Sequence, residues 1–138
     1  GVRLRIFAAH VKERTAAMHE FINHTNHPSA HWEEAQRRAA EAYGVIADIP
    51  FPQIPADWDE DAVRRLAEEN ARVILARSPA AVLVQGEFTY TYALINLLKA
   101  ADIPVLSACS ERHVSERVNE AGETVRESRF AFCRFRAY

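Results

Sequence analysis

Two cysteines, Cys109 and Cys133, are all that this 138-residue chain contains. They are too few for a disulfide scaffold and stand at no metal-ligand spacing, so both are read as reduced thiols. Long apolar runs are missing as well. Nothing approaches the ~20 consecutive residues needed to span a bilayer, and the start lacks the basic segment, apolar run and small-residue cleavage site of a secretory leader. The expected setting is therefore cytoplasmic, with no membrane partner. An excess of one charge is also absent: at a net charge of -2 no global positive field attracts duplex nucleic acid, although a local cluster of amides and arginines suffices to hold a nucleotide. Neither GxGxxG nor GxxxxGK[ST] occurs, which removes the dinucleotide and triphosphate fingerprints and with them the case for NAD or ATP. No cofactor is expected. Methionine occurs once, at Met18. Residues 1–17 are read as an N-terminal extension, non-native or poorly packed, with Met18 as the natural start of a single domain over 18–138.

What is present is the composition of an ordinary folded domain, 49% hydrophobic and 26% charged, at a length where one core is the default. Met18 to Asn23 reads as a first strand emptying into the polar run Asn23 to Ser29. Ser29 is placed to cap a helix in which Trp32, Ala35, Ala39 and Ala42-Tyr43 recur at helical spacing, with Gly44 as a left-handed stop. Val45 to Ile49 is β-rich and ended by Pro50-Phe51-Pro52. A second helix starts at Asp57 or Asp59, turns Val63, Leu66, Ala67 and Val73-Ile74 inward, and stops at Ser78-Pro79. Ala81-Val82-Leu83-Val84 has the continuous apolar pattern of a strand buried on both faces. A third helix runs from Phe88 to Ala101, and Ile103 to Ser107 is a fourth strand. This alternation predicts an α/β fold with a Rossmann-like, mainly parallel sheet flanked by helices. The tail differs: Arg112 to Asn119 and Thr124 to Arg136 flank Glu120-Ala121-Gly122-Glu123, and Phe130 alternates with Phe132 on one face, so the sheet is expected to close with a C-terminal antiparallel β-hairpin.

Ligands of open parallel sheets bind beyond the carboxyl ends of the strands, where loops converge and helix N-termini present free amides. Three polar segments are expected there: Asn23 to Ser29, Gln85-Gly86-Glu87 with Thr89 and Thr91, and Ser107 to Arg112. Gly86 permits close backbone approach or a positive φ. Glu87 falls in the first turn of its helix, where a carboxylate also simply satisfies the dipole. His27 and His31 are four apart, the spacing at which helical imidazoles share a metal, but Pro28-Ser29 lies between them and no acidic or cysteine ligand completes the set, so no metal site is expected. His24 and His27 are read as loop residues able to donate to phosphate or move protons near neutral pH. Arg112 is placed to clamp a phosphate bidentately, and Arg134 and Arg136 to line an anionic ligand or a dimer partner, or to guard an edge strand against aggregation. Cys109 is read as a small buried residue.

The segments Asn23-His24-Thr25-Asn26-His27-Pro28-Ser29, Leu83-Val84-Gln85-Gly86-Glu87 with Thr89-Tyr90-Thr91-Tyr92, and Phe132-Cys133-Arg134-Phe135-Arg136-Ala137-Tyr138 together resemble the small stand-alone CRISPR-associated proteins of the CARF-like, ring-nuclease type. The likeness runs from Met18 to Tyr138 in element order. It implies a homodimer that binds a cyclic oligoadenylate, cyclic tetra-adenylate above all, and cleaves it without metal by attack of a ribose 2′-hydroxyl on the adjacent phosphate. Carried over by position, it implies ligand contacts from Asn23, Thr25, Asn26, Ser29, Gln85, Gly86, Thr89 and Ser110, with His27, Arg112 and Glu87 as the catalytic candidates. Two other functions stay open beside it: a sensor module that binds the same ligand without cutting it, and a deoxyribosyltransferase-like nucleoside hydrolase with Glu87 as nucleophile.

Overall fold

Continuous burial along Phe21 to His24 sets the architecture, because this strand buries both of its faces and must be covered on each. In the computed structural model, which describes residues 19–138, β1 (Glu20–Thr25) turns Phe21 toward one apolar cluster and Ile22 toward the other. β3 (Ala81–Gln85) repeats the division, with Ala81 and Leu83 on the first side and Val82 and Val84 on the second. The extension expected at residues 1–17, and Met18 as its boundary, lie outside the described residues.

The elements follow in the order β1, a short 3-10 turn (Ser29–His31), α1 (Glu34–Glu41), β2 (Val45–Asp48), α2 (Glu60–Ala76), β3, α3 (Phe88–Ala100), β4 (Val105–Val118) and β5 (Thr124–Ala137). They form a mixed five-stranded sheet of order β2-β1-β3-β4-β5, parallel from β2 through β4 and closed by the antiparallel β4–β5 hairpin. On the first face Trp32 and Ala40 pack with Phe21, Leu83, Leu106 and Phe135. On the second, α2 and α3 supply Val63, Ala67, Ala71, Ile74, Leu94 and Leu98. Among the described residues no helix is long and apolar enough to cross a membrane.

Several local expectations are corrected. Asn23, His24 and Thr25 belong to β1 rather than to the loop after it. Ser29 opens the 3-10 turn, and α1 begins only at Glu34 after Glu33. Gly44 does not stop α1 in a left-handed conformation. It is required by close packing, since a Cβ there would stand 2.0 Å from the His19 carbonyl oxygen. Asp59 is the residue that caps α2, its carboxylate accepting from the Ala62 amide at 2.9 Å. Val73, expected to point inward, is exposed.

The largest correction concerns Ser107 to Arg112, expected as a loop and found inside β4. β3 pairs β4 only at Val105 and Leu106, so from Ser107 onward the only strand in register with β4 is β5. Ser110 to Val118 thus forms an arm reaching about 26 Å from the sheet at ~3.3 Å per residue. Register shifts opposite Cys109 and Ser110, where Arg134 and then Phe132 are the partners and Cys133 is the extra residue. The bulge lets Phe132 and Phe135, three apart in sequence, face the same side and meet with ring centroids 4.9 Å apart. It is fastened to the start of α1 by a hydrogen bond from the Phe132 amide to the Glu33 carboxylate.

Candidate functional site

The strand order reverses between β1 and β3: the chain leaves β1 for β2 on one side and returns to β3 on the other. In open α/β sheets, the crevice outside the carboxyl ends at such a switch point is where ligands bind. A pocket of about 420 Å³ lies there on the α1 side, lined by Thr25, Asn26, His27, Trp32, Gln36, Leu83, Gln85, Gly86, Ala108 and Ser110. This volume suits a ligand of one nucleoside's size.

The loop over the pocket is held by a network that begins at Asn23. This buried side chain donates from Nδ2 to the His27 carbonyl at 3.0 Å and to Asp48 Oδ1 at 3.2 Å, and its Oδ1 accepts from the Thr25 hydroxyl at 2.8 Å. The Thr25 oxygen in turn accepts from the His27 amide at 3.1 Å, closing a tight turn. Asp48, at the end of β2, accepts the Ser29 amide at 3.1 Å with its second oxygen. The Trp32 indole adds a second donor to the His27 carbonyl at 3.1 Å. Asn23 and Asp48 therefore act from behind the loop, while Asn26 and His27 stand exposed at its rim. Ser29 lies outside the pocket lining, its amide on Asp48 and its carbonyl accepting from Arg37 at 2.6 Å.

The middle segment divides. Gln85 Oε1 accepts from the Ala108 amide at 2.9 Å, extending by a side chain the β3–β4 ladder that ends at Leu106. Gly86 is needed for close approach alone, with no positive φ: an added Cβ would meet Phe51 Cζ at 2.2 Å. Glu87 precedes α3 rather than entering its first turn. Its carboxylate accepts from the Thr89 amide at 2.9 Å, the Thr89 hydroxyl at 2.7 Å and the Tyr90 amide at 2.8 Å. Partial burial acts to raise its pKa, but these hydrogen bonds from Thr89 and Tyr90 outweigh it and hold the carboxyl below the usual range. Neither Glu87 nor Thr89 lines the switch-point pocket. Thr89 borders a separate, largely apolar groove of about 1130 Å³ along α2 and α3, beside Phe88 and Tyr92.

Arg112, the end of the expected loop and the start of the expected hairpin strand, lies within β4 and pairs with Phe130 on the arm. Side chains alternate along β4, so Arg112 shares the α1-side face with Ser110 and stands one step beyond the pocket. Phe130, 66% exposed, Val114 and Val118 continue that face outward. Arg134 and Arg136, paired with Cys109 and Ser107, point to the opposite face. Cys109 is partly buried, and both cysteines are free.

His24, expected as a loop residue able to donate to phosphate or move protons, is instead fully buried on the α2–α3 side. Its Nδ1 lies 2.9 Å from the Ile49 carbonyl and its Nε2 2.6 Å from the Tyr90 hydroxyl. A carbonyl only accepts, so Nδ1 carries the proton and Nε2 accepts from Tyr90, whose oxygen accepts from Asn70 Nδ2 at 2.8 Å. Burial holds the imidazole below its ordinary 6.5 against the opposing pull of the Ile49 carbonyl. Burial likewise pushes the Tyr90 phenol up to about 12, against the Asn70 hydrogen bond. This is a neutral relay that joins the ends of β1 and β2 to α3, beneath the site and not in it. Among the described residues no three His, Cys, Asp or Glu side chains converge to hold a metal ion.

The structure thus gathers Thr25, Asn26, His27, Gln85, Gly86 and Ser110 into one pocket. It puts Asn23 and Ser29 behind the pocket, Arg112 beside it, and Glu87 and Thr89 away from it. Trp32, Gln36 and Asp48 were not anticipated as site residues. Fold and pocket define a mixed α/β domain with a polar crevice at its strand-order reversal. A family model described as "Uncharacterized protein MJ1673 family" matches residues 19–136, and the chain belongs to that family. No curated protein and no solved structure matches the chain.

Proposed function

We propose that this protein is a CARF-like, Rossmann-like ring nuclease that binds and cleaves a cyclic oligoadenylate, cyclic tetra-adenylate in the first instance. The observation that carries the reading is the switch-point pocket, in which exposed Asn26 and His27 at the rim meet Thr25, Gln85, Gly86 and Ser110. Amide, hydroxyl and imidazole groups of this kind suit ribose and phosphate, and the parallel strands β2-β1-β3-β4 reverse order beside the pocket, the place where open α/β sheets hold ligands.

In the proposed reaction a ribose 2′-oxygen bonds to the adjacent phosphorus as the P–O5′ bond breaks, leaving a 2′,3′-cyclic phosphate and a 5′-hydroxyl. His27 takes the 2′-hydroxyl proton, and the 5′-oxygen leaves as the alcohol after taking a proton from water. Arg112, beyond Ser110 on the same face, offsets charge developing on the phosphate. Most of the gain comes from holding the 2′-oxygen in line with the leaving group. Glu87 serves in this scheme by capping α3 under the Gly86 turn. Its engagement by three donors and its place outside the pocket count against the hydrolase reading, in which it would be the nucleophile. The arm, with Phe130, Val114 and Val118 exposed on one face, supports a homodimer, because an isolated two-stranded ribbon is marginal in water.

Incubation with cyclic tetra-adenylate in the presence of EDTA, followed by chromatography and mass spectrometry, tests the proposal. Linear products ending in a 2′,3′-cyclic phosphate are expected, and His27→Ala should slow their formation by roughly 10²–10⁴-fold. Tight binding with no product after prolonged exposure would replace the nuclease by a sensor, and no binding would remove both.

A further inference from the structure

We infer that the arms of two copies stack face to face and run in opposite directions, so that the tip of each arm covers the switch-point pocket of the other copy; this deepens the homodimer of the reading above and rests on it for the state of assembly alone. The ribbon beyond the sheet has two unlike faces. On one, charge is answered within the ribbon, where Arg117 meets Glu127 at 2.6 Å. The other continues the α1 side of the sheet. It carries Ser110, Arg112, Val114, Glu116 and Val118 along β4, with Phe130, Ser128 and Arg126 opposite Arg112, Val114 and Glu116 on β5. Val118 is 69% exposed, and neither Arg112, Glu116 nor Arg126 forms an ion pair with a described residue.

This face is its own complement. Arg112 and Glu116 stand at equal distances on either side of Val114 and carry opposite charge. A two-fold axis between two such faces, running across the strands at Val114, sets Val114 on its own copy. It also brings Arg112 onto the partner's Glu116 and Phe130 onto the partner's Arg126, an ion pair and a cation–π contact that each occur twice. Arms pointing the same way would match Glu116 with Arg126, but the fold stands against them. α1 covers this side of the sheet as far as Ser110, where the Phe132 amide is fastened to Glu33 at the head of α1. A helix is ~10–12 Å across and stacked sheets lie ~10 Å apart, so parallel arms would drive the two α1 layers into one space. Opposed arms set each tip in the step where the other copy's α1 layer ends. The partner's Val118 then covers Ser110, which lines the pocket. Arg112, held by the partner's Glu116, keeps N–H groups free for a ligand, since a guanidinium carries five.

Two measurements on the full chain test this. By sedimentation, the wild-type protein should be a dimer. Arg112→Glu and Glu116→Arg should each raise the dissociation constant about a hundredfold or more, because each sets like charges together twice, whereas the double variant, and an equimolar mixture of the two single variants, should return to within about tenfold of wild type. Arg112 and Glu116 are four residues apart on one strand, ~13 Å, and cannot meet within a chain, so restoration reports a contact between copies. For the second measurement, isotope-labelled wild-type chain is mixed with unlabelled Cys109→Ser/Cys133→Ser/Glu120→Cys chain carrying a nitroxide at the tip of its arm. The amides of Asn26, His27 and Ser110 in the labelled copy should broaden. A monomeric wild type overturns the homodimer and this inference together. A dimer indifferent to Glu116→Arg, a dimer not restored by the double variant, or broadening confined to Val118 and Asn119 as tip meets tip, overturns the opposed arms and leaves the homodimer standing. The cleavage assay decides the proposed reaction separately.

Discussion

Replacing Tyr90 by phenylalanine removes one oxygen and leaves the ring, which packs against Phe51 with centroids 5.2 Å apart. The lost hydroxyl donates to His24 Nε2 at 2.6 Å and accepts from Asn70 at 2.8 Å. Asn70 is half-buried and can turn to water. His24 cannot, because it is fully buried and its Nδ1–H is committed to Ile49. The variant therefore strands an acceptor in the core, at a cost of about 1–3 kcal/mol. That is a substantial part of the ~5–15 kcal/mol that holds a typical domain folded. In urea, with a slope of ~1–3 kcal/mol/M for a domain of this size, the midpoint should fall by roughly 1 M at unchanged slope. Removing both partners in His24→Leu/Tyr90→Phe should cost clearly less than the two single changes together, since no orphaned acceptor remains at Nε2. A midpoint for Tyr90→Phe within ~0.2 M of wild type, or strict additivity in the double variant, would refute the relay.

Acid should destabilise the fold through the same imidazole. The folded pKa of His24 lies below its ordinary 6.5, so the unfolded chain binds the extra proton first; this contribution is complete above about pH 6.5 and is lost as pH falls below it, and His24→Leu should flatten that limb of a urea midpoint–pH profile. Gly86→Ala drives a Cβ into the Phe51 ring and should lower the midpoint by an amount of the order of 1–3 kcal/mol, with Phe51→Leu restoring much of it by making room. Asp48→Ala frees the Ser29 amide and one Asn23 contact; it should lower stability by about 1 kcal/mol and weaken cyclic tetra-adenylate several-fold, measured by calorimetry, because the loop carrying His27 loses its anchor.

Much of the fold was legible because its signals are local and repeated. Val82 to Val84 announces a strand buried on both faces, Asp59 a helix start, and Glu120 to Glu123 a turn between two alternating strands. The reach of β4 was not legible. Ser107 to Arg112 reads as a polar loop ahead of the hairpin, and its strand conformation comes from pairing with Arg136 to Phe130, partners roughly twenty to thirty residues away. His24 looked like a member of the polar run beside it because nothing in one sequence distinguishes an inward imidazole from an outward one. Its single-residue offset from Asn23 and Thr25 on a strand is what sends it to the other face. Asp48 and Gln36 escaped notice for a related reason: an acid at a strand end and an amide in a helix stripe are common on surfaces, and only tertiary placement makes one an anchor of the loop and the other part of the pocket wall.

The ligand is expected in the switch-point pocket, and amide chemical-shift mapping of the isotope-labelled protein during titration with 2′-fluoro cyclic tetra-adenylate tests this directly. The amides of Asn26, His27, Gly86, Ala108 and Ser110 should shift together and saturably, while those of Phe88 and Tyr92 along the apolar groove stay in place. Shifts confined to Phe88 and Tyr92, or none at all, would contradict it.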